Sequence, residues 1–445
     1  MVRSGAGEVT GPGRLTASAR AVRLIAVTSL AHFVNDGVIF FVPVIGDLLA
    51  HENHTSPAVV TAMLTIFYVV SAGFGLGVGL VSDALGRRGA MIALGIASLA
   101  VSLFAFYAAL SLHGSESDAF VLVGAVVAGF GSAFYHPLGA SVLQLNFADA
   151  ARGRALGVNG AFGSLGRTVY PALFFVVAAL GITKVDTTAV FGGLSLLAAA
   201  GIAYGLRPSA TGEEAAPAIR GDPDPRVDAA TGDDSRAAGN PEGPILGGIL
   251  NRSVLALMVI AFLRSLAFIG IVSWVPIYLT TQRHAGVSGA LGVAVTVMYA
   301  GGIVGQPVFG LLVDRFDKRL VLAVDSLGSA AGTFVFLGTS GHGAAAMLAL
   351  ALFGFFTFAS FPLLLSLVAD YVPKERSTTG NALVWGVGST GGQALGPLVV
   401  STLMLGSYSH LGLAFGILGA LAAATVLGTP LLTRMARHGR MALFG

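Results

Sequence analysis

A histidine at 32 and an aspartate at 36 stand four residues apart in an otherwise apolar stretch, with Asn35 between them. On a helix, positions i and i+4 share one face, so this imidazole and carboxylate can pass a proton between them. Three more ionisable groups, His136, Arg167 and Arg264, lie in equally apolar surroundings. A guanidinium offers five donors in a planar fork that matches a carboxylate or phosphonate. The chemistry on offer is therefore proton exchange and anion binding. Other chemistries lack their residues. There is no cysteine, which excludes disulfides, thiol catalysis and Cys-based metal sites. No lysine follows a glycine, so the phosphate-binding loop of ATP-driven pumps is missing. No paired carboxylates, metal-ligand cluster or nucleophile elbow stands out, so no enzyme activity, metal or cofactor is read from the chain.

These side chains are informative because of what surrounds them. Hydrophobic residues make up 55% of the 445 positions and charged residues 11%. A soluble domain carries roughly 25% charged residues, so this chain lacks the polar surface to face water on all sides. Apolar runs of about 20 residues, each long enough to cross a bilayer, recur along its length. Twelve spans are expected, at 22–49, 58–84, 90–112, 119–147, 153–180, 188–206, 253–281, 288–313, 319–339, 343–371, 377–404 and 409–433. At a rise of about 1.5 Å per residue, Asp36 lies roughly 20 Å from the edge marked by Arg23, and Arg264 roughly 17 Å into the seventh span. Asp36 is read as the one acid near mid-depth, with Asp47, Asp83, Asp314, Asp325 and Asp370 towards span ends. Ionisable groups at such depth usually mark a pathway or relay.

Basic residues orient the spans. Of 25 Lys and Arg, Arg167 and Arg264 fall deep inside spans and only Lys184 and Arg283 fall on the side opposite the N-terminus. Positive loops face the cytoplasm, so both termini are expected there, in an inner or plasma membrane. The net charge of +3 is spread over short loops and points to no nucleic acid. The segment after 206 holds six prolines, eight acids and almost no large apolar side chain, and such a stretch cannot form a core. The expected organisation is a cytoplasmic tail (1–21), a six-helix bundle (22–206), a flexible cytoplasmic linker (207–251), a second six-helix bundle (252–433) and a tail (434–445). The halves echo each other. Pro43 and Pro276 fall late in the two first spans, Pro137 and Pro362 in the two fourth, Pro171 and Pro397 in the two fifth. A duplicated unit of this kind places a substrate site between the halves near the midplane. Glycines 73, 75, 77 and 79 on the second span, and 157, 160, 163 and 166 on the fifth, read as faces for close helix packing.

The loop after the second span reads Gly79-x-x-x-Asp83-x-x-Gly86-Arg87-Arg88, and a degenerate copy, Gly310-x-x-x-Asp314-Arg315-x-x-x-Arg319, holds the matching place in the second half. In this setting the chain resembles the major facilitator superfamily from residue 22 to 433. The resemblance implies an all-α membrane protein of two pseudo-symmetric six-helix bundles working by alternating access. It also implies a cytoplasmic gate: Asp83 facing the start of the eleventh span near Ser377–Gly380, and Asp314 facing the start of the fifth near Arg152 and Arg154. A carboxylate there is stabilised by the partial positive charge of a helix N-terminus. The strings at 31–37, 129–141 and 263–279 further resemble the fosmidomycin-resistance-type branch, which implies an exporter driven by proton influx. One departure bears on direction: antiporters often carry Gly-x-x-x-Gly-Pro in the fifth span, where this chain has Gly166 to Tyr170 and Pro171, and the string occurs instead from Gly392 to Pro397.

The expected function is secondary active transport of a small anionic or zwitterionic organic solute coupled to protons, with export favoured. The alternatives are a proton-coupled importer of an organic acid or other nutrient, and a transporter-like receptor. The receptor would call for a larger cytosolic module than the linker. Asp36 is assigned to proton coupling with His32 beside it. Arg264, His136, His32, Asn35, Trp274 and Tyr278 are assigned to the substrate, on a chain expected to act as a monomer.

Overall fold

The computed structural model describes residues 17–147, 149–207, 249–341, 343–372 and 380–434. Among them there is no strand, and the chain runs as helices that cross and recross one slab. In the first half these are α1 (Ala17–Glu52), α2 (Pro57–Leu85), α3 (Arg88–Ser111), α4 (Gly114–Asn146), α5 (Asp149–Ala179) and α6 (Lys184–Gly205). The second half has α7 (Arg252–Thr281), α8 (Gly289–Arg315) and α9 (Lys318–Gly338), followed by two interrupted spans and a continuous twelfth. The tenth consists of α10 (Ala344–Thr357) and α11 (Ser360–Tyr371). The eleventh joins a π-helical stretch, Ala382–Thr390, to α12 (Gly391–Met404). The twelfth is α13 (Leu411–Ala424), flanked by 3₁₀ turns. Ten of these helices are long and apolar enough to cross a membrane unbroken. With the two interrupted spans the count is the expected twelve.

Local chemistry starts and stops the helices where the chain must turn. Ser56 caps α2 by accepting from the Val59 amide, with Pro57 in the first turn, and Gly86 ends it at φ 59°. Thr183, Asn251, Ser288 and Asp317 cap α6, α7, α8 and α9 in the same way. Large apolar side chains such as Leu197, Leu348 and Leu427 lie on the outside, more than two-thirds exposed. That surface suits lipid, not water. The expected glycine packing holds only in part. Gly73, Gly75, Gly77, Gly157 and Gly160 face open space, whereas a side chain on Gly166 would run into the carbonyl of Phe33. On α5, therefore, only the inner end of the glycine ladder lets helix backbones touch.

The bundles join asymmetrically. Hydrogen bonds between them among the described residues run from Thr61 to Ser401 (2.8 Å), Thr280 to Asp47 (2.5 Å), Ser273 to Tyr68 (3.5 Å) and Tyr299 to the Phe40 carbonyl (3.2 Å). Every one of these residues lies in the half of its helix farther from the N-terminal side. One apolar core runs through the first bundle and on into that half of the second, while a separate core around Leu257, Phe309 and Leu363 fills the other end of the second bundle. The seam is shut away from the termini.

Candidate functional site

α1, α4 and α5 build one polar cluster inside the first bundle. The Asp36 carboxylate is 2% exposed. His32 Nε2 lies 3.5 Å from its Oδ2, His136 Nε2 3.4 Å from its Oδ1, and Arg167 Nη2 3.8 Å from its Oδ2. Asn35 donates to Oδ1 at 3.1 Å. His32 is positioned by α5: its Nδ1 is 2.9 Å from the Asn159 main-chain oxygen and 3.0 Å from the Asn159 side-chain oxygen. Asn159 is in turn tied to the Tyr135 hydroxyl, which donates to the Thr28 carbonyl at 2.8 Å. Gly163 makes this possible, since a Cβ there would sit 2.3 Å from His32 Nε2. Arg167 reaches beyond the bundle. It donates to Ser164 Oγ at 3.0 Å and lies over the rings of Phe40 and Phe358, the latter from the second bundle. Of the two arginines expected within spans, Arg167 is the one beside Asp36.

Arg264 has a different partner. Its guanidinium is ion-paired to Asp325, which is fully buried, and donates to Ser326 Oγ at 2.5 Å. Thr425 joins Ser326 at 3.2 Å. Asp325 is therefore not a span-end acid. It sits seven residues into α9 and balances a charge the sequence reading left for substrate. Beside the pair opens a cleft of about 560 Å³, mouth included, lined by Ser265, Ser329, Thr357, Ser389, Gln393 and Trp385 among others. The serines and threonine among them escaped notice because hydroxyls on apolar helices carry no distinctive spacing.

Two expected substrate ligands are turned elsewhere. Trp274 is fully buried and donates to the Pro397 carbonyl at 3.3 Å, so it packs α7 on α12. Tyr278 is buried against Phe336 and Phe415, and its hydroxyl accepts from Arg283 at the far end of α7. Asn35 is fully buried and holds Asp36. His136 is the cluster member open to solvent, its side chain 55% exposed.

At the far ends of α1 and α7 a second carboxylate is buried. Asp47 is fully buried, takes the Thr280 hydroxyl across the seam, and lies 3.2 Å from His51. At the opposite, terminal side, Gly79 lies within α2, and the side chains of Asp83, Arg152, Arg154 and Asp314 fall outside the described residues. Of the remaining gate residues, Gly86 ends α2, Arg87 and Arg88 open α3, and Arg315 is exposed in the last turn of α8. Arg319 donates to Asp317 at 3.0 Å and to the Leu432 carbonyl at 3.2 Å. Its hydrogen bond holds the Asp317 carboxyl below the usual carboxylate range.

Comparison with known proteins agrees with this architecture. The family model described as Major Facilitator Superfamily matches residues 26–397 and 288–440. A bacterial homologue of the human lysosomal transporter Spinster, solved inward-facing and unoccupied, is similar at 16% identity with a TM-score of 0.62, over 93% of this chain and 95% of that one. A point mutant of the nucleoside transporter NupG gives 12% identity and a TM-score of 0.70 over 92% and 99% of the two chains. A D-xylose–proton symporter gives 14% and 0.66 over 93% and 98%. No curated protein matches in sequence.

Proposed function

We propose that this chain, which belongs to the major facilitator superfamily, moves a small anionic or zwitterionic organic solute across the cell membrane against its gradient, driven by protons. Asp36 is the coupling carboxylate. The observation that carries this reading is the sharing of Asp36: two imidazoles and one guanidinium surround a single buried carboxylate, and that guanidinium also lies on the inter-bundle ring Phe358. A proton arriving through exposed His136 neutralises Asp36. Arg167 then loses its ion-pair partner and is free to take an anionic group of the solute. Because Arg167 bears on Phe40 and Phe358 at the seam, its change of partner alters the contact between the bundles, so protonation and reorientation are linked through one side chain.

The second bundle supplies the polar surface for the rest of the solute. The hydroxyls beside the Arg264–Asp325 pair can bind a hydroxylated or amide-bearing body, and Trp385 offers it a ring face. The basic-residue bias supports cytoplasmic termini and a cytoplasmic 207–251 linker, and on that orientation the seam shut away from the termini is the outer closure. Because protonation of Asp36 frees Arg167 for the anion, proton and solute load together, and proton influx then drives solute import, the alternative to the export that the branch resemblance implies. Each proton crossing about 100 mV supplies about 2.3 kcal/mol. A panel of radiolabelled organic acids and amino acids in proteoliposomes, with a pH gradient imposed in each sense, tests the reading. Accumulation of at least one solute under one sense and not the other is expected. Equal uptake under both senses and under none would remove proton coupling.

A further inference from the structure

We propose that His32, Asp36 and His136 form a chelating site for a borderline divalent cation of the zinc class, open on its fourth side to the cavity. Two of the ligands sit on α1 and the third a hundred residues away on α4, so no ligand spacing marks the site along the chain. The fold brings one donor atom from each within 4.8 Å of the others.

The orientation of His32 carries the argument. Its Nδ1 faces the main-chain carbonyl oxygen of Asn159, which can only accept, so Nδ1 holds the hydrogen. In a neutral ring Nε2 then carries a bare lone pair, and it points at a carboxylate oxygen 3.5 Å away. A lone pair and a carboxylate repel unless a cation lies between them. A proton on Nε2 is one such cation, and a metal is the other. Second-shell geometry fits the metal: a ligating histidine almost always donates its other N–H to a carbonyl or carboxylate, and ligating carboxylates are themselves hydrogen-bonded. Asn159 fills the first role and Asn35 the second.

Bonds of about 2.0–2.2 Å to nitrogen and oxygen in a tetrahedral site place neighbouring donor atoms roughly 3.3–3.5 Å apart. Each histidine Nε2 stands 3.4–3.5 Å from a different oxygen of Asp36, and one donor atom from each residue falls within 4.8 Å of the others, so the set contracts slightly onto an ion. His136, half exposed, has room to close the remaining side. Two imidazoles and one carboxylate favour zinc, cobalt, nickel or copper over calcium or magnesium. Arg167 opposes the site, being 3.8 Å from Asp36 Oδ2. It has alternative support from Ser164 and two aromatic rings, and its charge favours an anion at the open position. All three ligands belong to the first bundle, so binding needs no closure of the seam.

The test uses the full-length protein purified in detergent and stripped with chelator. Zinc alone is titrated by calorimetry, and cobalt alone by visible absorption, whose intensity separates four-coordinate from six-coordinate binding. One zinc per chain and an intense cobalt spectrum are expected. His136→Ala, at an exposed position, should weaken zinc binding at least about tenfold, with Asp36→Asn weakening it similarly and His410→Ala not at all. Absence of stoichiometric binding, or binding indifferent to both His136→Ala and Asp36→Asn, overturns the proposal. Proton-driven uptake by wild type in excess chelator is measured alongside; it depends on the coupling reading alone, so the two can fail separately.

Discussion

Replacing Asp325 by Asn removes one charge and almost no volume, which isolates the electrostatic role of the pair with Arg264. Arg264 is 7% exposed and Asp325 not at all, so neither charge can be rescued by water. Breaking a buried pair by removing one partner typically costs about 3–5 kcal/mol. Here the lower end applies, because Arg264 Nε and Asp325 Oδ1 have no hydrogen-bond partner and the pair is incompletely satisfied to begin with. About 3 kcal/mol is therefore expected for Asp325→Asn, as for Arg264→Met. The double variant Arg264→Met/Asp325→Leu should recover more than half of that loss, since a hydrophobic replacement of both partners is often neutral. The assay is unfolding of the purified single and double variants in detergent, followed by far-ultraviolet circular dichroism. If Asp325→Asn were as stable as wild type, Arg264 would be carrying its charge without this partner, and the assignment of Arg264 to structure over substrate would fail.

Gly163→Ala forces its new methyl onto the His32 ring and should cut pH-driven uptake at least about tenfold while leaving the folded yield in detergent unchanged; normal uptake would mean the His32 position is not needed. Thr280→Val deletes a charge-assisted hydrogen bond to Asp47 worth about 1.5–3 kcal/mol, so it should raise the outward-open fraction, read as faster labelling of a cysteine placed at Ser401 by an impermeant reagent. Unchanged labelling would remove Asp47 from the outer closure. Single cysteines at Ser115 and Ser340 should label from outside intact cells and one at Ser235 should not; labelling at 235 would reverse the orientation.

Much of the fold was legible because a bilayer demands long apolar runs, and α7, at 252–281, begins and ends within a residue of its expected span. The interruption of the tenth span after Thr357 and the π-helical stretch before Gly391 were not legible, since apolar content is the same in an α-helix and a wider one. His32 and Asp36 were readable from helical spacing alone. Their neighbours were not, because depth along one helix says nothing of which face meets which helix. That is why Asp325 was not read as the partner of Arg264, and why Trp274 was given to the substrate although it packs α7 on α12. Asn159, which sets the histidine's orientation, carries no charge and stood out in no pattern, and Tyr135 stood out only within the 129–141 string.

The account turns on Asp36 as the group that makes solute movement obey the proton gradient. Asp36→Asn mimics the protonated acid at nearly the same volume. In proteoliposomes loaded with unlabelled solute, the variant should still exchange labelled for unlabelled substrate at a rate near wild type, because binding and reorientation survive. It should fail to accumulate substrate when only a pH gradient is imposed. Accumulation driven by pH alone in Asp36→Asn, at wild-type extent, would place coupling on another residue and leave Asp36 as the counter-ion of Arg167.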